Sequence, residues 1–208
     1  MSASQYTRGK EKMADFYLVN DLIVNVSGTV DVTVWHWGST DERKTISVAA
    51  SQPPQSAGYA FTLSLASLLK EAKCVSGREC VAEFTFTCDQ DPLLTSRNVL
   101  YLSSPKDSAL SPPSLKIIGG SERKDRDPMN RRLIDVQYSF SAIAPYVWFE
   151  SPFDGSFSDN GFLATPSLSL SVSPPFVANV TFVSGDNDWD VQEFLDSLQV
   201  WSLNDIYQ

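Results

Sequence analysis

The chain has 208 residues, 42% of them hydrophobic and 20% charged, which is enough for one large or two small domains and excludes disorder as a whole. Its formal net charge of -9 would repel phosphate backbones, so we expect no nucleic-acid partner. No apolar run reaches the roughly 18 residues that a membrane-spanning helix needs, so we expect no membrane partner either.

The first residues of the chain are polar, and we predict a disordered tail over 1–14. This segment carries charges but has no apolar stretch of the kind found in a secretory signal. Taken alone, it favours a cytosolic protein.

Strand patterns dominate from Phe16 onward. The clearest is Thr29–Trp37, where valines occupy every second position. Further strands are predicted at Tyr17–Val26, Lys44–Ala50, Tyr59–Leu63, Val81–Cys88 and Asn98–Ser103. Leucines at helical spacing in Ser64–Lys73 predict one short helix among them.

A Ser/Pro-rich stretch over 108–114 indicates a connection, so we predict domains at 15–104 and 105–208. Strands of the second domain are predicted at Leu115–Ile118, Arg132–Phe140, Ala144–Phe149, Leu168–Val172, Val177–Val183 and Leu198–Leu203. Asp190–Ser197 predicts a helix of one to two turns that Asp190 caps. Strands without a βαβ alternation predict an all-β fold of two consecutive antiparallel β-sandwiches with short accessory helices.

A tight turn is predicted between two phenylalanines near the middle of the second domain. The run from Phe140 to Phe149 is aromatic and β-branched without glycine, which favours a buried strand. After it, Asp-Asn-Gly supplies turn chemistry, because asparagine and glycine tolerate positive φ and aspartate can hydrogen-bond the backbone. The residues of this turn motif are Phe157, Asp159, Asn160, Gly161 and Phe162.

The same segment carries a resemblance to a known family. APYVWFE at 144–150 followed by FSDNGF at 157–162 resembles the last immunoglobulin-like domain of β-mannosidases of glycoside hydrolase family 2. Four other passages resemble the C-terminal region of those enzymes in the same order: Tyr17–Trp37, Cys74–Phe86, YLSSPK at Tyr101–Lys106 and SLNDIY at Ser202–Tyr207. The resemblance implies that both sandwiches are immunoglobulin-like.

The resemblance also implies a function. These domains would form the C-terminal accessory region of a lysosomal enzyme that hydrolyses terminal non-reducing β-D-mannose residues in glycoprotein oligosaccharides. The signal peptide and the (β/α)₈ barrel with its two catalytic glutamates would lie upstream, so we assign no catalytic residue and no cofactor and expect no turnover from this chain alone. The expected partners are that barrel and the N-terminal domains, and unpartnered packing faces can make the chain self-associate.

Cysteines and sequons give further expectations. A single histidine leaves too few ligands for a zinc site, and we predict no metal. The family carries paired cysteines at about this place, which implies a Cys74–Cys80 disulfide with Cys88 as a buried thiol; the alternative is three reduced, buried cysteines. Asn25 and Asn179 begin N-x-S/T sequons, which accept glycans only in the secretory pathway.

Three other groups of residues have structural interpretations. His36 has no nucleophile motif beside it, so we interpret it as a strand residue. Asp186, Asp188 and Asp190 resemble the start of a calcium loop, but Val191 and Ser197 replace the required glycine and glutamate, which favours helix capping. The mixed charges over 122–132 predict a solvated loop.

Two functions other than scaffolding remain open. A carbohydrate-binding module could use Trp35, Trp37 or Trp189 as exposed sugar platforms. A protein-interaction module of the antibody type is less favoured, because no cysteine after Cys88 completes the Cys…Trp…Cys pattern.

Overall fold

The chain divides into two units, each with its own core. The computed structural model describes residues 1–40, 42–171, 174–185 and 188–206. The first unit takes residues 1–37 and 41–109, and the second takes 38–40 and 110–208. The sequence had placed the border between 104 and 105.

The first unit pairs a three-stranded sheet with a four-stranded one. Its elements are β1 (Ser2–Arg8), β2 (Glu11–Asn20), β3 (Val26–His36), β4 (Glu42–Gln52), β5 (Ser56–Ser64), α1 (Leu65–Glu71), β6 (Cys80–Cys88) and β7 (Thr95–Tyr101). The sheets have the strand orders β1-β2-β5 and β4-β3-β6-β7, and every pairing is antiparallel. This architecture confirms the predicted all-β sandwich.

Phe16 joins the two sheets of the first unit. Its ring stacks on Phe61 of β5 with centroids 4.6 Å apart and meets Phe84 of the facing sheet edge-on at 5.1 Å. All three side chains are buried, as are the alternating valines of β3. The period-two pattern therefore directs one face of each sheet into a common core.

The structure differs from the predicted disordered tail over 1–14. Residues 2–8 form β1, and all seven pair with β2. Ala3 packs against the core, and Gln5 Nε2 donates a hydrogen bond to the Tyr101 carbonyl oxygen at 2.6 Å. A polar segment can form such an edge strand because backbone hydrogen bonds, and not apolar side chains, hold it.

The second unit also consists of two antiparallel sheets. Its elements are β8 (Lys116–Glu122), β9 (Arg132–Phe140), β10 (Ala144–Glu150), β11 (Ser156–Phe157), β12 (Phe162–Ala164), β13 (Phe176–Ser184), α2 (Val191–Ser197), β14 (Gln199–Trp201) and α3 (Leu203–Ile206). The strand orders are β11-β13-β9-β8 and β12-β10-β14. The ring of Tyr138 on β9 meets Phe149 of the facing sheet edge-on at 5.3 Å, which places an aromatic contact at the centre of this core.

Two strand predictions in this unit need correction. Phe140 ends β9 and Ala144 begins β10, so the apolar run from Phe140 to Phe149 holds a sheet-to-sheet connection and is not one strand. The described part of Leu168–Val172, residues 168–171, forms no strand; Val172 lies outside the described residues. Ser169 Oγ instead accepts hydrogen bonds from the N–H groups of Ser171 and Val177, because serine side chains can replace a backbone ladder.

The turn motif links the two sheets of the second unit. Phe157 ends β11 on one sheet, and Phe162 begins β12 on the other. Between them, Asn160 Oδ1 accepts from the Phe149 N–H at 2.7 Å, while Asn160 Nδ2 donates to the Phe149 carbonyl oxygen at 3.2 Å. Gly161, at φ +79, adds a hydrogen bond to the Val147 carbonyl oxygen. The amide of Asn160 thus imitates a paired strand residue.

We predict that Asn160→Ala destabilises the second unit by about 2 kcal/mol, because it removes two hydrogen bonds from the backbone of the buried residue Phe149. Urea unfolding measures the loss, and amide hydrogen exchange at Phe149 should become faster. Asp159→Ala is the matched control: Asp159 is exposed in the same turn, and we expect a change within about 0.5 kcal/mol. Equal stability of the two variants would contradict the role given to Asn160.

Candidate functional site

The tryptophans considered as sugar platforms are buried. Trp35, Trp37 and Trp189 are only 5%, 1% and 9% exposed. Trp35 Nε1 donates to Glu83 Oε2 at 3.0 Å, and the Trp37 ring stacks on Tyr101. None of the three offers a face to solvent, so the prediction of a platform on these residues is wrong.

Trp189 belongs instead to a buried cation–aromatic cluster. The guanidinium carbon of Arg132 lies 4.1 Å from the centroid of the Trp189 ring, and Arg132 Nη1 donates to the Trp189 carbonyl oxygen at 3.0 Å. Two further hydrogen bonds run from Arg132 to the Glu122 carboxylate, at 3.1 and 2.7 Å. Arg132 is 5% exposed, which corrects the prediction that the whole of 122–132 is a solvated loop.

The other arginines of this segment also have acidic partners nearby. Arg123 makes two hydrogen bonds to Asp135, and Arg131 is paired with Asp127. These contacts lower the pKa of each carboxyl partner: Arg132 acts chiefly on Glu122, Arg123 on Asp135 and Arg131 on Asp127. The arginines of this segment are therefore paired with carboxylates within the unit.

The cysteines lie at one end of the first sandwich. Cys74 follows α1 and is joined to Cys80, the first residue of β6, with an S–S distance of 1.97 Å. This is the pairing that the family resemblance implied. Cys88 is a free, buried thiol at the opposite end of β6. The disulfide fixes the helix to the central sheet, because it closes a short loop between them.

The remaining predicted residues occupy structural positions. His36 ends β3 opposite Cys80, and Asp190 caps α2 by accepting hydrogen bonds from the N–H groups of Gln192 and Glu193. Asp186 lies outside the described residues, and among those described no cluster of three or more potential metal ligands occurs. None of the helices in the described ranges has the length and apolar character to cross a bilayer.

Both sequon asparagines are exposed. Asn25 lies in the loop before β3, and Asn179 lies on β13 opposite Gln137. Their glycosylation stays a prediction. A glycan on Asn25 would border the apolar surface described next.

An apolar surface occupies the end of the first sandwich away from the disulfide. We define the apolar end as Leu22, Ile23, Val24, Leu93 and Leu94, from the β2–β3 and β6–β7 loops. Ile23 and Leu93 are 82% and 91% exposed, and Leu22 and Leu94 line a cavity of about 220 Å³. The β6–β7 loop is tied to the start of β3 by Gln90 Nε2, which donates to Ser27 Oγ at 2.6 Å. Exposed aliphatic side chains that cluster in this way are typical of an interaction surface.

This surface was not predicted from the sequence, because part of it falls within a predicted strand. Leu-Ile-Val at 22–24 had been placed inside the strand Tyr17–Val26, whereas β2 ends at Asn20 and β3 begins at Val26. Asn20 Nδ2 donates to the carbonyl oxygens of Val24 and Gln52, which stabilises the loop. Asn20 followed by Asp21 was the one local signal of a turn at this position.

Comparisons with known proteins agree with this architecture. Residues 12–107 match the family model described as Mannosidase Ig/CBM-like domain, and residues 130–206 match the one described as Ig-fold domain. The β-mannosidases of Rattus norvegicus and Mus musculus are each 30% identical, over 159 and 161 residues, and each alignment covers 74% of this chain. The chain spans 17% of the length of these relatives.

Solved structures show the same fold at low identity. The β-D-mannosidase of Dictyoglomus thermophilum superposes with a TM-score of 0.59 at 12% identity, over 97% of this chain and 21% of that chain. The exo-chitosanase CsxA of Amycolatopsis orientalis superposes with a TM-score of 0.54 at 11% identity, over 96% of this chain and 25% of that one. These likenesses concern the fold alone.

We predict that Glu122→Gln destabilises the second unit by about 2 kcal/mol at neutral pH, because buried Arg132 loses a charged hydrogen-bond acceptor. The folded pKa of Glu122 lies below its ordinary value of 4.5. Its stabilising contribution is therefore present above that value and is lost as the pH falls through the folded pKa. The difference between wild type and variant should shrink below pH 4.5 in urea unfolding measured along a pH series.

The control for this measurement is Asp159→Asn, which changes an exposed carboxylate of the same unit in the same way. We expect it to alter stability by no more than about 0.5 kcal/mol at any pH tested. A constant Glu122→Gln effect across the pH series would contradict the proposed charge pairing.

Proposed function

Because the chain belongs with the β-mannosidases through a Mannosidase Ig/CBM-like domain followed by an Ig-fold domain, we propose that it serves as the C-terminal, non-catalytic accessory region of such an enzyme. The observation that carries the proposal is the order of the two matched domains, in a chain that spans 17% of its relatives. The rest of the enzyme would supply the chemistry.

The geometry of the units supports a scaffolding role. Aromatic side chains such as Phe16 and Tyr138 join the two sheets of each core. The ionic contacts of the units fix loops to sheets, as Arg132 does between Glu122 and Trp189. Such units resist deformation and can hold neighbouring domains in place.

The apolar end is the surface that we assign to this packing. Burying Ile23 or Leu93 against a partner would contribute about 2 kcal/mol each. In a complete β-mannosidase, the occupant would be another part of the same enzyme. Where that part is absent, a second copy of the chain would take its place.

The finer substrate assignment is part of the proposal. The complete enzyme would hydrolyse terminal non-reducing β-D-mannose residues of glycoprotein oligosaccharides in lysosomes. The disulfide between Cys74 and Cys80 supports passage through an oxidising compartment, because such bonds are rare in the cytosol.

We predict that the purified chain does not hydrolyse 4-nitrophenyl β-D-mannopyranoside, because a retaining glycosidase needs two carboxylates about 5 Å apart in a shaped site. Release of nitrophenol is the measurement, with an intact β-mannosidase as the positive control. Saturable turnover that co-purifies with the folded chain would refute the accessory role.

We also predict that the chain self-associates through the apolar end, and that the double variant Ile23→Asp, Leu93→Asp is monomeric, because charges at both positions oppose desolvation. Sedimentation velocity over a concentration series measures this. Val75→Asp is the control, since Val75 is 90% exposed at the opposite, disulfide end. Self-association that survives in the double variant, or is lost in the control, would assign it to another surface.

A further inference from the structure

Two exposed tyrosines face each other on the outer side of the β1-β2-β5 sheet. Tyr17 of β2 and Tyr59 of β5 are directly opposite in the antiparallel register. Their ring centroids lie 6.4 Å apart, and the ring planes meet at 80°. Tyr59 is 58% exposed, which is unusual for an aromatic side chain at the centre of a strand pair. We call this pair, with Asp15 and Thr62, the tyrosine patch.

A β-bulge produces this arrangement. The β2–β5 register shifts between Phe16 and Tyr17, so that Phe16 is opposite Phe61 while Tyr17 is opposite Tyr59. The extra residue, Ala60, packs against the core together with Phe61. Tyr59 and Thr62 consequently both lie on the outer face although they are three residues apart. Bulges commonly redirect a side chain in this way.

Hydrogen bonds hold the Tyr59 ring in one position. The Thr62 hydroxyl donates to Asp15 Oδ1 at 2.5 Å, and Tyr59 Oη lies 2.9 Å from Thr62 Oγ1. A threonine hydroxyl has a single proton, which goes to Asp15 here, so the Tyr59 hydroxyl must donate to Thr62. The chain of donors from Tyr59 through Thr62 to Asp15 fixes the far end of the ring along the sheet.

Polar groups surround the two rings. Asp15 Oδ2 has no hydrogen-bond partner among the described residues and can accept a hydrogen bond from a ligand hydroxyl. Ser2 and Ser4 of β1 are exposed and lie opposite Tyr17 and Asp15 in the register. Their hydroxyls add both donors and acceptors. The tyrosine patch therefore combines two aromatic rings with surrounding oxygen atoms.

This combination matches one class of ligand. A pyranose presents an apolar face of C–H groups, which packs on an aromatic ring, and a rim of hydroxyls, which donate to carboxylates. An anionic ligand is disfavoured by Asp15 and by the formal net charge of -9. A purely apolar ligand would leave Asp15 Oδ2 desolvated without a partner.

We propose that the tyrosine patch is a binding site for a neutral pyranose. The rings of Tyr17 and Tyr59 are the two contact surfaces, and Asp15 accepts a hydrogen bond from a sugar hydroxyl. The Tyr59 ring is held by Thr62 before the ligand arrives, so little side-chain entropy of this residue is lost on binding. The site is open and involves few polar contacts, which corresponds to a dissociation constant of the order of 1 mM.

Amide chemical-shift titration of the whole chain tests the site, with β-1,4-mannobiose as the probe. We expect saturable shifts confined to residues around 15, 17, 59 and 62, and a loss of affinity of about tenfold or more in Tyr59→Ala and in Tyr17→Ala. Tyr59→Phe keeps the ring but removes its anchor to Thr62, so a smaller loss is expected. Mannose 6-phosphate, which carries the same ring with negative charge, should bind more weakly than mannose.

Tyr6→Ala is the matched control. Tyr6 is exposed on the outer face of the same sheet, opposite Met13, four positions along β2 from Tyr17. We expect this variant to bind as wild type. The absence of shifts at tens of millimolar sugar, shifts located elsewhere, or equal losses in Tyr6→Ala and Tyr59→Ala would each overturn the site. The result is independent of the accessory role, because the nitrophenol assay and the sedimentation experiment examine other properties.

Discussion

Each unit depends on an aromatic ring that contacts the facing sheet. Phe16 meets Phe84 in the first unit, and Tyr138 meets Phe149 in the second. Side chains of a strand alternate between faces, so a shift of one residue would turn such a ring toward solvent. The ring contact therefore fixes the register, and the register decides which residues lie outside. Because Phe16 lies inside, the next residue, Tyr17, lies on the outer face, where the tyrosine patch is found.

The parts of the fold that local patterns determine were predictable. The strand Arg132–Phe140 has the predicted bounds, because its alternation and its flanking turns are encoded within a few residues. β1 was missed because its stability comes from pairing with β2, a contact that its polar sequence does not announce. The described part of the predicted strand Leu168–Val172, residues 168–171, forms no strand, because a serine side chain competes there for the backbone groups that a strand would use.

The candidate sites were less predictable, because they depend on departures from regular pairing. Alternation placed Trp35 on the polar face of β3, yet both Val34 and Trp35 are buried. The β3–β4 register shifts between these two residues, and the buried carboxylate of Glu83 receives the Trp35 N–H. A second bulge exposes Tyr59 in the same unit. The β3–β6 register is unbroken through Trp35, so the contact with Glu83 accompanies the burial of Trp35, whereas the β2–β5 bulge exposes Tyr59.

The two proposed surfaces differ in the backbone that carries them. The tyrosine patch lies on paired strands, where a hydrogen bond to Thr62 holds the Tyr59 ring before a ligand arrives. The apolar end lies on two loops, where aliphatic side chains can adjust to a protein partner. A small polar ligand gains little from adjustable side chains, because each one immobilised costs about 0.5–1.5 kcal/mol. A protein partner buries enough area to offset that cost, so the backbone under each surface favours the class of partner assigned to it.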